Sequence, residues 1–316
     1  HRVQEVGQVH DVGLLGRVLD DGHAVGQGGG QHNVHGGTHR DHVQIHLAAS
    51  QPSAAGDLGA DQAVAHVHVG PHGHKALDVL VDGPSAQVAA PGQGDLRAAY
   101  LYAVATHPDC RGRGMSGALM AWADGYFKSR AIPAVTTVPA QPSLHEFFGA
   151  NGFRECFVLT QRELVQLPPR REDVALRPLS PEEYGALRDR LLEQTGQPYI
   201  SYPEQALAFQ AGCCAVDGGG LYGGTCLEGP FCLCAEGTGE GRMVCKELLG
   251  PPEARAAALS ALGELAPGAR WQLRTPVDPK NAPEDEKKFA MLKWNDWKTS
   301  KKWDWSATGY LGLAFD

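Results

Sequence analysis

"AYLYAVATHPDCRGRGMSGALM", residues 99–120, decides the fold. Its first eight residues mix aromatic, β-branched and small side chains, the composition of a strand. Pro108 ends that strand, because a proline has no N–H to give to a ladder. Arg111 to Gly117 then packs two arginines and three glycines into one turn. Beyond it Met115, Leu119, Trp122, Ala123, Tyr126 and Phe127 recur at helical spacing, which predicts a helix to about Arg130. A strand that runs through a basic, glycine-rich turn into a helix is built to meet an anion. Glycines let backbone N–H groups come close, the helix N-terminus adds its positive end, and arginine adds charge-assisted hydrogen bonds.

Which anion is the next question. Gly112-Arg113-Gly114-Met115-Ser116-Gly117 spells G-x-G-x-x-G, the pattern of a dinucleotide turn. That turn should follow its strand at once, yet His107 to Arg111 intervene. An acid is also expected about 20 positions on, to hold a ribose hydroxyl. Residues 131–145 contain none. A phosphate loop of the Gly-Lys-Ser/Thr kind fails as well, because no such triplet follows.

Downstream, "AVTTVPA" (134–140) reads as a strand. "PSLHEFFGANGF" (142–153) reads as a short helix, with Ser143 as N-cap and Gly152 as its stop, and "FRECFVLTQ" as another strand; strand, helix, strand in this order implies a right-handed crossover and parallel neighbours. Together these segments resemble the GCN5-related N-acetyltransferases over 99–160. Arg111, Gly114 and Ser116 stand on the family's R-x-x-G-x-G/A loop, with Ser116 in place of the usual Gly or Ala. The resemblance implies an α/β fold, a mixed sheet flanked by helices, and acetyl transfer from acetyl-CoA as co-substrate to a primary amine. It implies that Arg111, Gly112, Arg113, Gly114, Met115 and Ser116 bind the pyrophosphate. Val104, Ala105 and Thr106 would take the pantetheine arm along an open strand edge. The family often carries a tyrosine in the short helix to protonate the leaving thiolate. Phe148 stands there, so the catalytic residues stay unassigned, with His145 and Glu146 as candidate proton carriers on the same helix.

Composition changes near residue 98. Residues 1–98 contain no Phe, Tyr, Trp, Met or Cys, one Lys and one Glu, but twelve of the fourteen histidines. Such a segment lacks the large side chains that fill a core, and its bias fits GC-rich DNA read in a wrong frame; it is expected to be low in order. "HVQIHLA" and "AVAHVHV" could still be drawn as strands. "HVHVGPHGHK" (66–75) admits a metal reading, but no pair spacing or acidic partner recurs, and no metal site is expected. The cofactor half would occupy 99–165, and "LVQLPPRRED" (164–173) reads as a linker.

A second unit, 173–316, resembles a degenerate copy of the same fold, as in the two-domain acetyltransferases of bacteria. "VALRPLSPEEYGALRDRLL" supplies a first strand and a helix capped by Ser180; "LLGPPEA" shows that the loop motif is gone. Strands are expected at 220–227, 230–236, 241–248 and 270–277, and an Ala-rich helix at 251–265. Four of the six tryptophans lie in the tail, where they are expected to close a domain edge. Six of eight cysteines fall between 213 and 245 without a C-x-x-C pair, so small buried thiols are expected.

A net charge of -8 argues against nucleic acid. No apolar run approaches a membrane span, and charge and glycine interrupt every short run at the start, so neither membrane nor signal peptide is expected and cytoplasm is the default. The acceptor, a small-molecule or peptide amine, is unreadable, as is the oligomeric state. The other readings are an acyl-CoA-binding protein without catalysis, a His-rich metal module on an inert scaffold, and a nicotinamide oxidoreductase, which the missing acid disfavours.

Overall fold

The computed structural model describes backbone at 43–49, 63–69, 74–81, 86–90 and 94–106, and the chain at 111–277, 286–301 and 303–314. Within the segment expected to be low in order, the alternating pieces are strands β1 (Val43–Ala49) and β2 (Ala63–Val69). They are followed by β3 (His74–Val81) and β4 (Ala86–Ala90). The rest of 1–85, and the histidine side chains of 66–75, lie outside the described residues. The deciding strand is longer than its sequence implies: β5 runs from Gly94 to Thr106. Then come α1 (Met115–Ser129), β6 (Ala134–Thr137), α2 (Pro142–Ala150) and β7 (Arg154–Leu164).

The second unit begins with β8 (Ala175–Pro178), α3 (Pro181–Glu193), β9 (Tyr199–Ser201) and α4 (Glu204–Val216). It continues with β10 (Gly220–Cys226), β11 (Gly229–Gly237) and β12 (Arg242–Leu249). The expected Ala-rich helix is broken into α5 (Pro252–Ala258), a 3-10 turn and α6 (Leu262–Leu265). β13 (Arg270–Thr275), β14 (Glu286–Trp294) and α7 (Trp297–Ser300) close the chain. Ser180 caps α3 as its sequence implies, accepting from the Glu183 N–H while the Glu183 carboxylate accepts from the Ser180 N–H. Ser143 does not cap α2. Gln141 holds that place with Pro142 at the first helical position, and Gly152 at φ 89° ends the helix as expected.

One sheet carries both units in the order β1-β2-β3-β5-β6-β14-β7-β13-β12-β11-β10-β8, with β4 beside β5 and β9 beside β4. The order reads the same from either end. β5 and β6 are parallel, as are β12 and β13, and the strands between them, β14 and β7, are antiparallel to each other and to their outer neighbours. Each half therefore lends its last strand to the other. This corrects two expectations. β6 and β7 are not neighbours, because β14 lies between them. The tail tryptophans do not close an edge: Trp294 ends a central strand, and buried Trp303 packs on Trp294 and Trp305 at ring separations of 5.4 and 6.4 Å.

Two cores pack against the first half. Ala99 and Leu101 of β5 bury with Met115, Leu119, Ala123 and Phe127 of α1 and Phe148 of α2. Tyr100, between them on the strand, points to the opposite face and joins the larger core, which includes Tyr184 of α3 and Tyr310. Cys232 and Cys234 share that larger core, on one face of β11 as their alternation implies.

Candidate active site

The turn after β5 has the backbone its glycines were expected to allow. Gly112 and Gly114 sit at φ 75° and 74°, left-handed values that other residues adopt only with strain. A Cβ on either would meet open space, as would one on Gly117. Backbone conformation thus explains two of the three glycines. Gly117, at an ordinary helical φ, is explained by neither strain nor crowding and leaves the first turn of α1 bare. The first bond within the helix runs from the Ala118 N–H to the Gly114 carbonyl at 3.1 Å. The amides of Met115, Ser116 and Gly117 lie ahead of it, where a helix has no internal acceptors to offer. Met115 is buried and anchors the turn, Ser116 is half-buried, and Arg111, Gly112 and Arg113 are exposed. Arg111 Nε donates to the Thr106 carbonyl at 3.3 Å, which ties the turn to the strand end. Residues 107–110 lie outside the described residues.

Beside the turn the sheet opens. The pairing of β5 with β6 runs from Ala98–Ala134 to Tyr100–Thr136 and stops. Thr137 Oγ1 bridges the gap once more, donating to the Leu101 carbonyl at 2.9 Å. Beyond it β5 continues to Thr106 with its far edge held by β3 and, among the described residues, no strand on its near edge. A cavity of about 930 Å³ fills this divergence. Its lining includes the apolar Val104, Val138, Leu144 and Phe148 and the polar His145, Glu155, Arg274 and Lys288. Of the nine residues expected to hold the co-substrate, Val104 lines the cavity. Ala105 and Thr106 continue its strand, and Arg111 to Ser116 form the separate turn at the strand's end.

His145 is half-buried, and Glu146 is exposed at the cavity wall. His145 Nδ1 lies 3.1 Å from Glu155 Oε1, and Lys288 Nζ lies 2.5 Å from Glu155 Oε2. The Lys288 hydrogen bond, more than any other influence, holds the Glu155 carboxyl below the usual carboxylate range. The carboxylate is thus ionised at neutral pH and can orient the imidazole. Phe148 is buried, with its ring edge-on to Phe147 and Phe153 at 5.2 and 5.5 Å. Glu155, Arg274 and Lys288 were not legible from the sequence. Lys288 and Arg274 come from the second half, and no local pattern reports that β14 and β13 reach this cavity. Among the described residues no His, Cys, Asp or Glu cluster could hold a metal, and no helix is long and apolar enough to cross a membrane.

With the open edge, the left-handed glycine turn and the cavity in place, the likeness to known proteins can be weighed. Residues 84–152 match the model of an acetyltransferase (GNAT) domain. Over that span the chain is similar to an acetyltransferase (GNAT) domain. The match starts upstream of β5 and takes in β4, which the composition break had left on its other side. A search among curated proteins finds no match. Among solved structures the chain is similar to Eis1 from Mycobacterium abscessus, with TM-score 0.53, 15% identity, and 81% of this chain and 74% of that chain covered. It is similar to a probable N-acyltransferase from Enterococcus faecalis, with TM-score 0.56, 14% identity, 76% and 64% covered. A GCN5-related N-acetyltransferase from Anabaena variabilis gives TM-score 0.53, 14% identity, 76% and 64%. At these identities the likeness is one of fold. It spans both halves, and the GNAT architecture is a large mixed sheet flanked by helices.

Proposed function

We propose that the chain transfers an acetyl group from acetyl-CoA to the primary amine of a small molecule or peptide. The observation that supports this reading best is the divergence of β5 from β6 at the head of a glycine turn with bare amides. In this reading the pyrophosphate lies on Arg111 to Ser116, where N–H groups and the helix dipole favour an anion. The pantetheine arm adds to the free edge at Val104, Ala105 and Thr106 as an extra strand would, and the thioester reaches the cavity beside α2. The amine nitrogen attacks the thioester carbon, the carbon–sulfur bond breaks, and the nitrogen loses a proton while the thiolate gains one. Phe148 can carry neither proton. His145 can: it stands one turn earlier on α2, in the same cavity, with Nδ1 fixed by Glu155 so that Nε2 exchanges the proton. Placement supplies the rest, since a held amine and thioester need no encounter.

Calorimetric titration of acetyl-CoA into the full chain tests the binding half. Micromolar binding is expected, weakened about tenfold by Arg111→Ala, as loss of one charge-assisted contact of about 1.5 kcal/mol gives. No binding by the unaltered chain would sink the reading. Release of CoA thiol with a panel of amines tests the chemical half. His145→Gln should lose on the order of a hundredfold in kcat while its Kd for acetyl-CoA is unchanged. Equal rates would leave acyl-CoA binding without this relay.

A further inference from the structure

The mechanism uses no thiol, yet two cysteines of the second half face each other. Cys214 of α4 and Cys234 of β11 are both fully buried, and their sulfurs lie 3.5 Å apart. A disulfide needs about 2.05 Å, so a further approach of about 1.5 Å closes one. Two other cysteines face oxygens instead: Cys226 donates to the Gly229 carbonyl and Cys245 to the Glu247 carbonyl.

The surroundings favour reaction at one sulfur. Gln210 Nε2 donates to Cys214 Sγ at 3.2 Å and to Glu236 Oε2 at 3.1 Å, and Lys246 Nζ holds the same carboxylate oxygen at 2.9 Å. Either sulfur can donate to the other; with Cys234 as donor the bond lowers the Cys214 pKa and raises that of Cys234. Cys214 is thereby the more readily ionised sulfur, although its Sγ also lies 3.7 Å from Glu236 Oε2, and Cys234 is placed as its resolving thiol. α4 is an outer helix whose buried residues are Ala206, Leu207, Gln210 and Cys214, and neighbouring Cys213 is half-exposed.

We propose that Cys214 and Cys234 are an oxidisable dithiol, a modification site that hydrogen peroxide converts to a disulfide. The Cys214 thiolate attacks one peroxide oxygen, the O–O bond breaks, and the departing hydroxide takes a proton and leaves as water. Cys214 is then a sulfenic acid. The Cys234 sulfur attacks it, the S–S bond forms, the S–O bond breaks, and the hydroxyl leaves as a second water with the thiol proton. Two thiols lose two electrons and one peroxide becomes two waters. The bond pins α4 to β11. β9 lies just before α4 and pairs with β4, which pairs with the cavity strand β5, so the pin tightens a segment that reaches the first half.

The test needs no knowledge of the acceptor and does not depend on the acetyl-transfer reading. The full chain is treated with hydrogen peroxide, free thiols are blocked with N-ethylmaleimide, and the digest is mapped by mass spectrometry with fragmentation. A cross-link joining Cys214 to Cys234, reversed by dithiothreitol and accompanied by a higher Tm, is expected. Cys214→Ser and Cys234→Ser should each lose it, while Cys213→Ser and Cys232→Ser keep it. Mapping of the unaltered chain decides the matter even where a serine variant folds poorly. Oxidation confined to Cys213, or a cross-link that survives Cys214→Ser, overturns the proposal.

Discussion

β5 and β12 hold the same place in the two halves and end differently. Each pairs in parallel with its neighbour for a few residues and then leaves it, while its other edge stays paired with β3 or β11. Two residues beyond the last pair stand Tyr102 in β5 and Glu247 in β12. In the first half a cavity opens near this point. In the second it is filled: buried Glu247 accepts from Tyr184 Oη at 2.7 Å, Arg188 Nε at 2.8 Å and Tyr310 Oη at 3.4 Å. The chain's own Tyr310, Leu311 and Leu313 are buried in the same core. The glycines differ in the same sense. Gly112 and Gly114 face open space, whereas a Cβ on Gly250, in the matching turn before α5, would lie 2.9 Å from the Pro230 carbonyl oxygen. A sheet and its cores can thus be kept twice while the crevice between two strands is kept once. Glycine at the turn faces open space in one copy and close packing in the other.

The largest effect should come from the filled crevice. Arg188→Leu leaves Glu247 buried with its charge partner gone, and removing one member of a buried ion pair costs about 3–5 kcal/mol. Arg188→Leu with Glu247→Leu should cost clearly less than either alone, read from denaturant midpoints at constant slope. If the single and double variants are equally unstable, the pair is not what fills this half. Gly250→Ala comes next. Its φ of 142° and its crowding against β11 predict a loss of about 1–3 kcal/mol. Gly117→Ala should do the reverse: a half-buried helical glycine with open space at its Cβ position, replaced by alanine, gains about 0.5–1 kcal/mol in the free protein. The same methyl stands on the bare first turn, so acetyl-CoA should bind more weakly. An unchanged Kd would mean that nothing approaches the turn there.

What could be read from the sequence was local. The strand at 99–106, the turn at 111–117, the helix after it and the Ser180 capping box each depend on neighbours a few residues apart. What could not be read was pairing at long range. "KKFAMLKW" is not among the expected strands, and nothing in it says that β14 lies between β6 and β7, more than 120 residues back in the chain. Without that insertion the tail tryptophans look like an edge, and His145 looks like a solitary histidine. Its partner Glu155 stands on β7, and the lysine that fixes Glu155 stands on β14. Arg188 and Glu247 likewise occur on elements whose meeting only the folded sheet brings about.

The smallest expected effect lies where the halves exchange strands. Glu155 of β7 and Lys288 of β14 join the two lent strands, and Lys288 is largely exposed, which limits the pair to about 0.2–1 kcal/mol. The Glu155 carboxyl titrates below its ordinary value in the folded chain, chiefly because Lys288 donates to it. A group with a depressed folded pKa adds stability that is fully present above the unfolded value of about 4.5 and is lost as pH falls through the folded one. Lys288→Met should therefore lower Tm slightly at pH 7 and flatten the fall in Tm below pH 4.5. It should also move the pH profile of kcat, since His145 shares the carboxylate that Lys288 fixes. A Lys288→Met chain with an unaltered pH profile but a lower Tm would confine the pair to joining the halves and free His145 from any dependence on the second.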